Sequence, residues 1–310
     1  MPIFRPHLVL TVASACACAC ASSEEPQRIA LPVAIDASGI GIVTNDLGYA
    51  VELYEARVMV TDFTFALQGE AHAMSRSIWQ QIADGLMPRA YAHPGHDQAG
   101  DITGELRGRF LLNWLRDGSA PTRAEAALGR AELLPGLYKS ANFTFVQATE
   151  DDGLSADDPI LGHTAILRGF ATPVATEQTT TSTTKQPDRI PLPFVAVIDA
   201  PEGRLLIGAP FELDVDQATT APLEVRLLTT DPLEGDTLFD GIDFSAIAGN
   251  NNSNSAIVLS DSASTQPAVD AYNQLRRRFQ THDHFEVRSA VSTSSTTLTQ
   301  TPGHDESTNR

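Results

Sequence analysis

Residues Tyr49–Leu67 have the sequence YAVELYEARVMVTDFTFAL. Apolar residues alternate with others from Val51 and Leu53 onward, and the alternation changes parity before Val58. A period of two residues indicates a half-buried strand, because successive side chains point to opposite faces of a sheet. The change of parity predicts either two strands or one strand with a bulge.

Six further segments have the same character. They are short, rich in Val, Ile, Leu, Phe and Thr, and separated by turns that contain Gly, Pro and Asp. Short strands separated by turn signals are typical of a mainly β protein, here an antiparallel sandwich or barrel-like domain with one or two short helices. The six segments are Arg109–Leu115, Ala141–Ala148, His163–Phe170, Phe194–Asp199, Arg204–Val215 and Leu223–Thr229.

Two segments have helical periodicity instead. Ser75–Leu86 carries apolar residues at helical spacing. Pro267–Phe279 is the stronger case, because Pro267 suits the first helical turn and an apolar stripe runs to Phe279. Three arginines, 276–278, fall in its last turn, where they complement the helix dipole.

Composition limits the class of protein. The chain has 310 residues, of which 42% are hydrophobic, so it has enough apolar material for a core and is not wholly disordered. It carries 21 basic and 39 acidic residues, a formal net charge of −18. Such a charge argues against binding a nucleic-acid backbone, and against docking on an anionic bilayer by charge alone.

The N-terminus has the features of an export signal. Residues 1–23 contain Arg5, then a short apolar run, then small residues and cysteines. The sequence Ala13-Ser14-Ala15-Cys16 resembles the cleavage box of bacterial lipoprotein signals, which usually begin with Leu rather than Ala. The resemblance covers only the N-terminal segment. It implies lipidation of Cys16 and a place in the bacterial cell envelope, at the periplasmic face of a membrane or at the cell surface.

Two other cysteines leave alternatives open. Cys18 and Cys20 offer other frames for lipidation, and Ala17-Cys18-Ala19 also fits ordinary secretory cleavage. All three cysteines of the chain lie in this segment. A mature chain without them has no disulfide, no cysteine nucleophile and no thiolate metal site.

Composition shifts suggest how the rest of the chain is organised. A polar tether, 24–30, precedes a β-rich globular domain, 31–288, and a Ser/Thr-rich segment, 289–310, is expected to be a disordered tail. The Thr-rich segment 176–187 is interpreted as a loop within one domain, although a boundary between two domains there remains an alternative.

Familiar catalytic signatures are absent. The sequence has no G-x-S-x-G elbow, no G-x-x-x-x-G-K-[ST] loop, no G-x-G-x-x-G and no H-E-x-x-H. Serine hydrolases, nucleotide-binding enzymes and zincins therefore lose most of their sequence support, and we expect no enzyme activity.

The histidines carry the most specific hypothesis. His93 and His96 stand three apart across a Pro-Gly turn with Asp97 beside them, and His282 and His284 stand two apart around another aspartate. In an extended strand the second pair would share one face. Neutral imidazole is the usual protein ligand of Zn(II) and Cu(II), so these five residues are the predicted metal ligands.

Acidic loops offer a weaker signal. Glu150–Asp158 and Asp231–Asp243 are rich in carboxylates, which calcium prefers, but neither matches the pattern of a calcium-binding loop. Solvated acidic turns are the simpler interpretation in a chain of this charge.

The sequence thus predicts an exported, lipid-anchored acidic envelope protein that acts as a binding module and binds Zn or Cu through histidines. It would meet a membrane through its lipid anchor only and would not bind nucleic acid. Two alternatives stay open. One is a metal-free β-sandwich that binds protein or carbohydrate, and the other is a hydrolase with a scattered active site.

Overall fold

The computed structural model describes residues 27–68, 99–174, 190–201, 203–249 and 256–290. The helix predicted over Ser75–Leu86, the Thr-rich segment 176–187 and residues 291–310 lie outside these ranges. The described elements in chain order are β1 (Ile29–Asp36), β2 (Val43–Thr44), β3 (Tyr49–Gln68), β4 (Ala99–Leu115), α1 (Arg123–Ala126), β5 (Ala127–Leu133), β6 (Gly136–Phe145), β7 (Ala165–Pro173), β8 (Leu192–Ile198), β9 (Leu205–Val215), β10 (Leu223–Leu227), α2 (Phe244–Ala248), β11 (Ile257–Leu259), α3 (Gln266–Phe279) and β12 (Phe285–Ser289).

The strands form one mixed, sandwich-like sheet of twelve that does not close, which confirms the predicted mainly β class. Its main path runs β11-β8-β7-β3-β4-β5-β1-β10-β12. Strands β2 and β6 also pair with β3, and β9 pairs with β6. Most neighbours are antiparallel, while β1 pairs with β10 and β8 pairs with β11 in parallel. Strands on both sides of the Thr-rich segment pair with each other, as β7 does with β8 and β6 with β9.

Strand β3 organises the sheet. It is a single irregular strand, the second of the two arrangements that the parity change predicted. Before Val58, its register shifts between Leu53 and Glu55 against β7 and between Ala56 and Arg57 against β4. A further bulge against β4 lies between Thr61 and Phe63. Asp62 in that bulge has φ of 51°, which bends the strand. The half before the bulge pairs with β7, and the half after it pairs mainly with β6, so one strand contributes to both parts of the sheet.

The six predicted strand segments and the predicted helix Pro267–Phe279 are all present. Their ends are shifted by at most five residues, except that β4 begins ten residues before the predicted Arg109. Helix α3 buries Tyr272, Leu275 and Phe279 against the sheet. Five aromatic rings, including Phe279 and Phe285, pack with centroids 5.2–5.9 Å apart in the centre of the molecule. Trp114 is also fully buried, and its indole N–H donates to the Val225 carbonyl at 3.0 Å.

A second, smaller core lies around Met59, Ile160 and Ile166, beneath the segment that joins β6 to β7. Beside it, the buried Arg57 guanidinium donates to both carboxylate oxygens of Asp158, at 2.9 and 2.8 Å. No helix in the described ranges is long and apolar enough to cross a membrane.

Candidate functional site

The structure describes only part of the predicted metal site. His93, His96 and Asp97 lie outside the described residues. Whether they approach His282 and His284 therefore stays a prediction.

His282 and His284 lie on a single 3-10 turn and not in an extended strand, the arrangement in which their side chains would share one face. The turn continues from the end of α3, where the Thr281 backbone N–H and hydroxyl both donate to the Arg278 carbonyl, at 2.9 and 2.7 Å. Because of these local bonds, β12 begins only at Phe285. The alternation expected of a strand therefore does not hold for this pair.

The two imidazoles have different surroundings. His284 is 2% exposed, and its Nδ1 lies 3.0 Å from the Leu228 carbonyl. Because a carbonyl only accepts hydrogen bonds, Nδ1 carries the proton and Nε2 keeps the lone pair. Burial holds the pKa of His284 below its ordinary value, so the ring is neutral at neutral pH. His282 is more exposed, with Nε2 3.4 Å from the Asp283 carboxylate.

Three carboxylates from the second acidic loop come together. Oxygens of Asp231, Glu234 and Asp236 all lie within 4.8 Å of one another. Asp231 accepts a bond from the Leu233 backbone N–H at 2.7 Å, and Asp236 is paired with Arg278 of α3. These contacts stabilise the three carboxylates as part of a turn that packs against α3.

His163, which the sequence did not single out as a ligand, pairs with Asp199. Its Nδ1 lies 2.9 Å from the carboxylate, where the loop before β7 meets the end of β8. The Asp199 backbone N–H donates to the Tyr272 hydroxyl at 3.3 Å. The pair therefore links the end of the sheet to α3.

A ligand-sized cavity lies at the β11 edge of the sheet, between α2 and the start of α3. Its volume is about 640 Å³. Its walls come from four separate segments of the chain: the start of β8, α2, the start of β11, and the loop that enters α3. The lining residues are Ile190, Leu192, Pro193, Ser245, Ile247, Ala248, Gly249, Ala256, Ile257, Val258, Ser260, Ser262, Ala263, Ser264, Thr265 and Ala268.

The described residues that line this edge cavity are all uncharged, in a chain with a net charge of −18. Its chemistry is also divided between the walls. The strands and α2 supply Leu192, Ile247, Ile257 and other apolar groups, and the loop 260–265 supplies four hydroxyl residues. Ser245 of α2 also lines the cavity, but its hydroxyl is bonded to Tyr49.

Contacts of Asp243 and Tyr49 fix the α2 wall. Asp243 caps this helix by accepting a bond from the Ala246 N–H at 3.0 Å, and that bond together with the Ser245 hydroxyl holds the pKa of Asp243 below its ordinary value. The Tyr49 hydroxyl lies 3.0 Å from the same carboxylate. The Phe244 ring packs against Tyr49 with centroids 5.5 Å apart. The wall is therefore anchored to the first residue of β3.

Sequence reasoning missed this cavity. The only local signal is the row of small hydroxyl residues in 260–265, directly before a predicted helix, and such a row is equally typical of a solvated loop. No family model, curated protein or solved structure matches the chain.

Proposed function

We propose that this protein is an exported, lipid-anchored binding module of the bacterial envelope, and that it holds a small ligand in the edge cavity without chemical conversion. The cavity is the observation that carries the proposal. Its volume of about 640 Å³ falls within the range of small-molecule sites, roughly 300–1,000 Å³. An apolar lining with a few polar groups at one side is also typical of such sites.

The cellular location rests on the N-terminal sequence. A lipid attached to Cys16 would be the contact with the membrane, at its periplasmic face or at the cell surface. Labelled fatty acid supplied to the producing cell should enter the protein and be lost in Cys16→Ser. Label that persists in this variant would move the site to Cys18 or Cys20, and an unlabelled wild-type protein would contradict the anchor.

Ligand binding can be tested with N-phenyl-1-naphthylamine, an uncharged dye that fluoresces in apolar surroundings. We expect saturable binding of about one dye per chain. Val258→Lys should weaken it by about tenfold or more, because the variant places an ammonium group in the apolar wall. Ile207→Lys is a matched control, since both residues are exposed strand positions (51% and 58%) and Ile207 lies outside the cavity.

The dye experiment has clear adverse outcomes. Dye that does not bind to the folded protein would refute the proposed site. Equal losses in Val258→Lys and Ile207→Lys would show that the dye binds elsewhere on the sheet.

A second candidate function is binding of Zn(II) or Cu(II). The supporting observation is the fixed tautomer of His284, because an imidazole whose Nδ1–H is bonded to a carbonyl presents Nε2 to a metal. The ligand set would be His284 and His282 with His93, His96 and Asp97. Titration calorimetry should give stoichiometric binding that weakens below about pH 6.5, where imidazole protonates.

The matched control for the metal is His163→Ala, which should bind normally because His163 is paired with Asp199 and is outside the proposed set. The double variant His93→Ala/His96→Ala should bind no metal. A wild-type protein that gives no heat and no stoichiometric metal would remove this candidate function.

A further inference from the structure

We infer that the ligand of the edge cavity is a neutral amphiphile: a molecule with an aliphatic chain and an uncharged, hydroxyl-bearing head. This inference rests on the proposed function, since it assumes that the cavity binds a ligand. It is carried by the separation of apolar and hydroxyl groups within one uncharged cavity.

The apolar side of the cavity suits a chain. Leu192, Ile257 and Val258 come from the two paired strands at the edge of the sheet, and Ile247 faces them from α2. Among these, Ile257 is 7% exposed and Val258 is 51% exposed, so the apolar lining includes both a buried and a half-exposed group. A chain lying along it would lose contact with water, at a gain of roughly 0.8 kcal/mol for each buried methylene group.

The opposite side suits a hydroxyl-bearing head. Ser260, Ser262, Ser264 and Thr265 line it within six consecutive residues. The hydroxyls of Ser260 and Ser262 lie 3.2 Å apart, and the Thr265 hydroxyl makes no capping bond to α3. Hydroxyls both donate and accept hydrogen bonds, so they match a head group that does the same.

Charge narrows the ligand class further. Among the described residues, none that lines the cavity can neutralise a carboxylate, a phosphate or an ammonium group, and Asp261 stands between two lining serines without lining the cavity itself. Moving an ion out of water without a counter-charge costs several kcal/mol, whereas a hydroxyl loses little when it forms new hydrogen bonds. The net charge of −18 adds long-range repulsion for anions. The first turn of α3, which borders the cavity, is the one feature that would favour an anion, so the experiment compares both charges.

The experiment displaces the bound naphthylamine dye with three compounds of equal chain length: 1-monolauroylglycerol, laurate and dodecyltrimethylammonium, each below its micellar concentration. We expect the neutral glycerol ester to displace the dye at a concentration about tenfold lower than either ion. Laurate that competes as well as the ester would overturn the inference in favour of an anion site at α3. Equal competition by the cation would overturn it as well.

A variant of the polar side tests the head group. Ser264→Ala/Thr265→Val removes two hydroxyls at exposed positions, and neither hydroxyl makes a hydrogen bond within the described structure. The backbone bond from the Val269 N–H to the Thr265 carbonyl is kept. This double variant should bind the glycerol ester several-fold more weakly and bind the dye with unchanged affinity. Unchanged affinity for the ester would refute the assigned head. If the dye binds but none of the three compounds displaces it, the inference fails while the proposed binding function stands; if the dye does not bind, the proposed function fails first.

Discussion

Replacing Asn45 by alanine should destabilise the fold more than any surface change. The Asn45 side chain is 3% exposed and uses all its hydrogen-bonding capacity. Its amide donates to the Phe239 and Ile242 carbonyls at 3.1 and 3.0 Å, and its oxygen accepts from the Tyr49 and Leu47 backbone N–H groups at 2.9 and 3.2 Å. These bonds join the turn before β3 to a segment almost two hundred residues later.

The magnitude follows from the groups left unpaired. Asn45→Ala strands two buried backbone groups, the Ile242 carbonyl and the Tyr49 N–H, at about 1–3 kcal/mol each. It also removes one of the two hydrogen bonds of the Phe239 carbonyl, which keeps the bond from the Ile242 N–H at 3.2 Å. Local relaxation and entry of water offset part of this cost, so we expect a loss of about 3–5 kcal/mol. Urea denaturation followed by circular dichroism measures it. Asn273→Ala on α3 is the control and should stay within about 0.5 kcal/mol of the wild type.

The variant Asn45→Asp separates hydrogen bonding from packing. It keeps the size of the side chain and its accepting oxygen but turns the amide donor into an oxygen that faces two carbonyls. At neutral pH the buried carboxylate should cost at least as much as Asn45→Ala, and its pKa should rise. The penalty relative to wild type should therefore shrink as the pH falls from that raised pKa towards about 4, and change little below it. A loss below about 1 kcal/mol in Asn45→Ala would refute the reasoning.

Three further outcomes are expected. Arg57→Met should lower the free energy of unfolding, measured with urea, by about 3–5 kcal/mol, because it leaves the carboxylate of Asp158 without its buried partner. An unchanged free energy would show that the attraction within the ion pair only balances the cost of removing its charges from water. The hydrogen bond from an arginine lowers the pKa of Asp152 from 3.8 to about 2, so its ionised form stabilises the fold above pH 4 and that stability is lost as pH falls through about 2. The melting temperatures of wild type and Asp152→Asn should then converge between pH 4 and 2, and a constant difference would contradict this assignment. Gly241→Ala should lower the melting temperature, because Gly241 has φ of 78° and an added Cβ would lie 1.8 Å from the side-chain amide nitrogen of Gln274. An unchanged melting temperature would mean that Gln274 moves aside without cost.

Elements with strong periodic patterns could be predicted from the sequence. The alternation in Tyr49–Leu67 predicted β3 and its bulge, and the apolar stripe of Pro267–Phe279 predicted α3 to within one residue. Strands with weak patterns were missed. β5 buries only Ala131 and Leu133 among its seven residues, and β11 is three residues long. Such strands exist because neighbouring strands supply their hydrogen bonds.

The site depended even more on contacts that no local pattern encodes. The spacing of His282 and His284 identified them as a pair, but the end of α3 placed them on a turn, and burial beside Leu228 determined the tautomer of His284. The edge cavity combines four segments whose sequences separately indicate only strands, a short helix and a loop.

Composition and local patterns alone indicated a mainly β chain with one strong helix near the C-terminus, and they predict an export signal and a mature part without thiol chemistry. These properties depend on charge, on cysteine positions and on neighbours a few residues apart, and all of them can be read along the chain. The wall of the edge cavity depends instead on Tyr49 meeting Asp243, 194 positions away. Such a contact forms only when the sheet brings distant segments together, because the free energy that holds it comes from packing and hydrogen bonds across the fold.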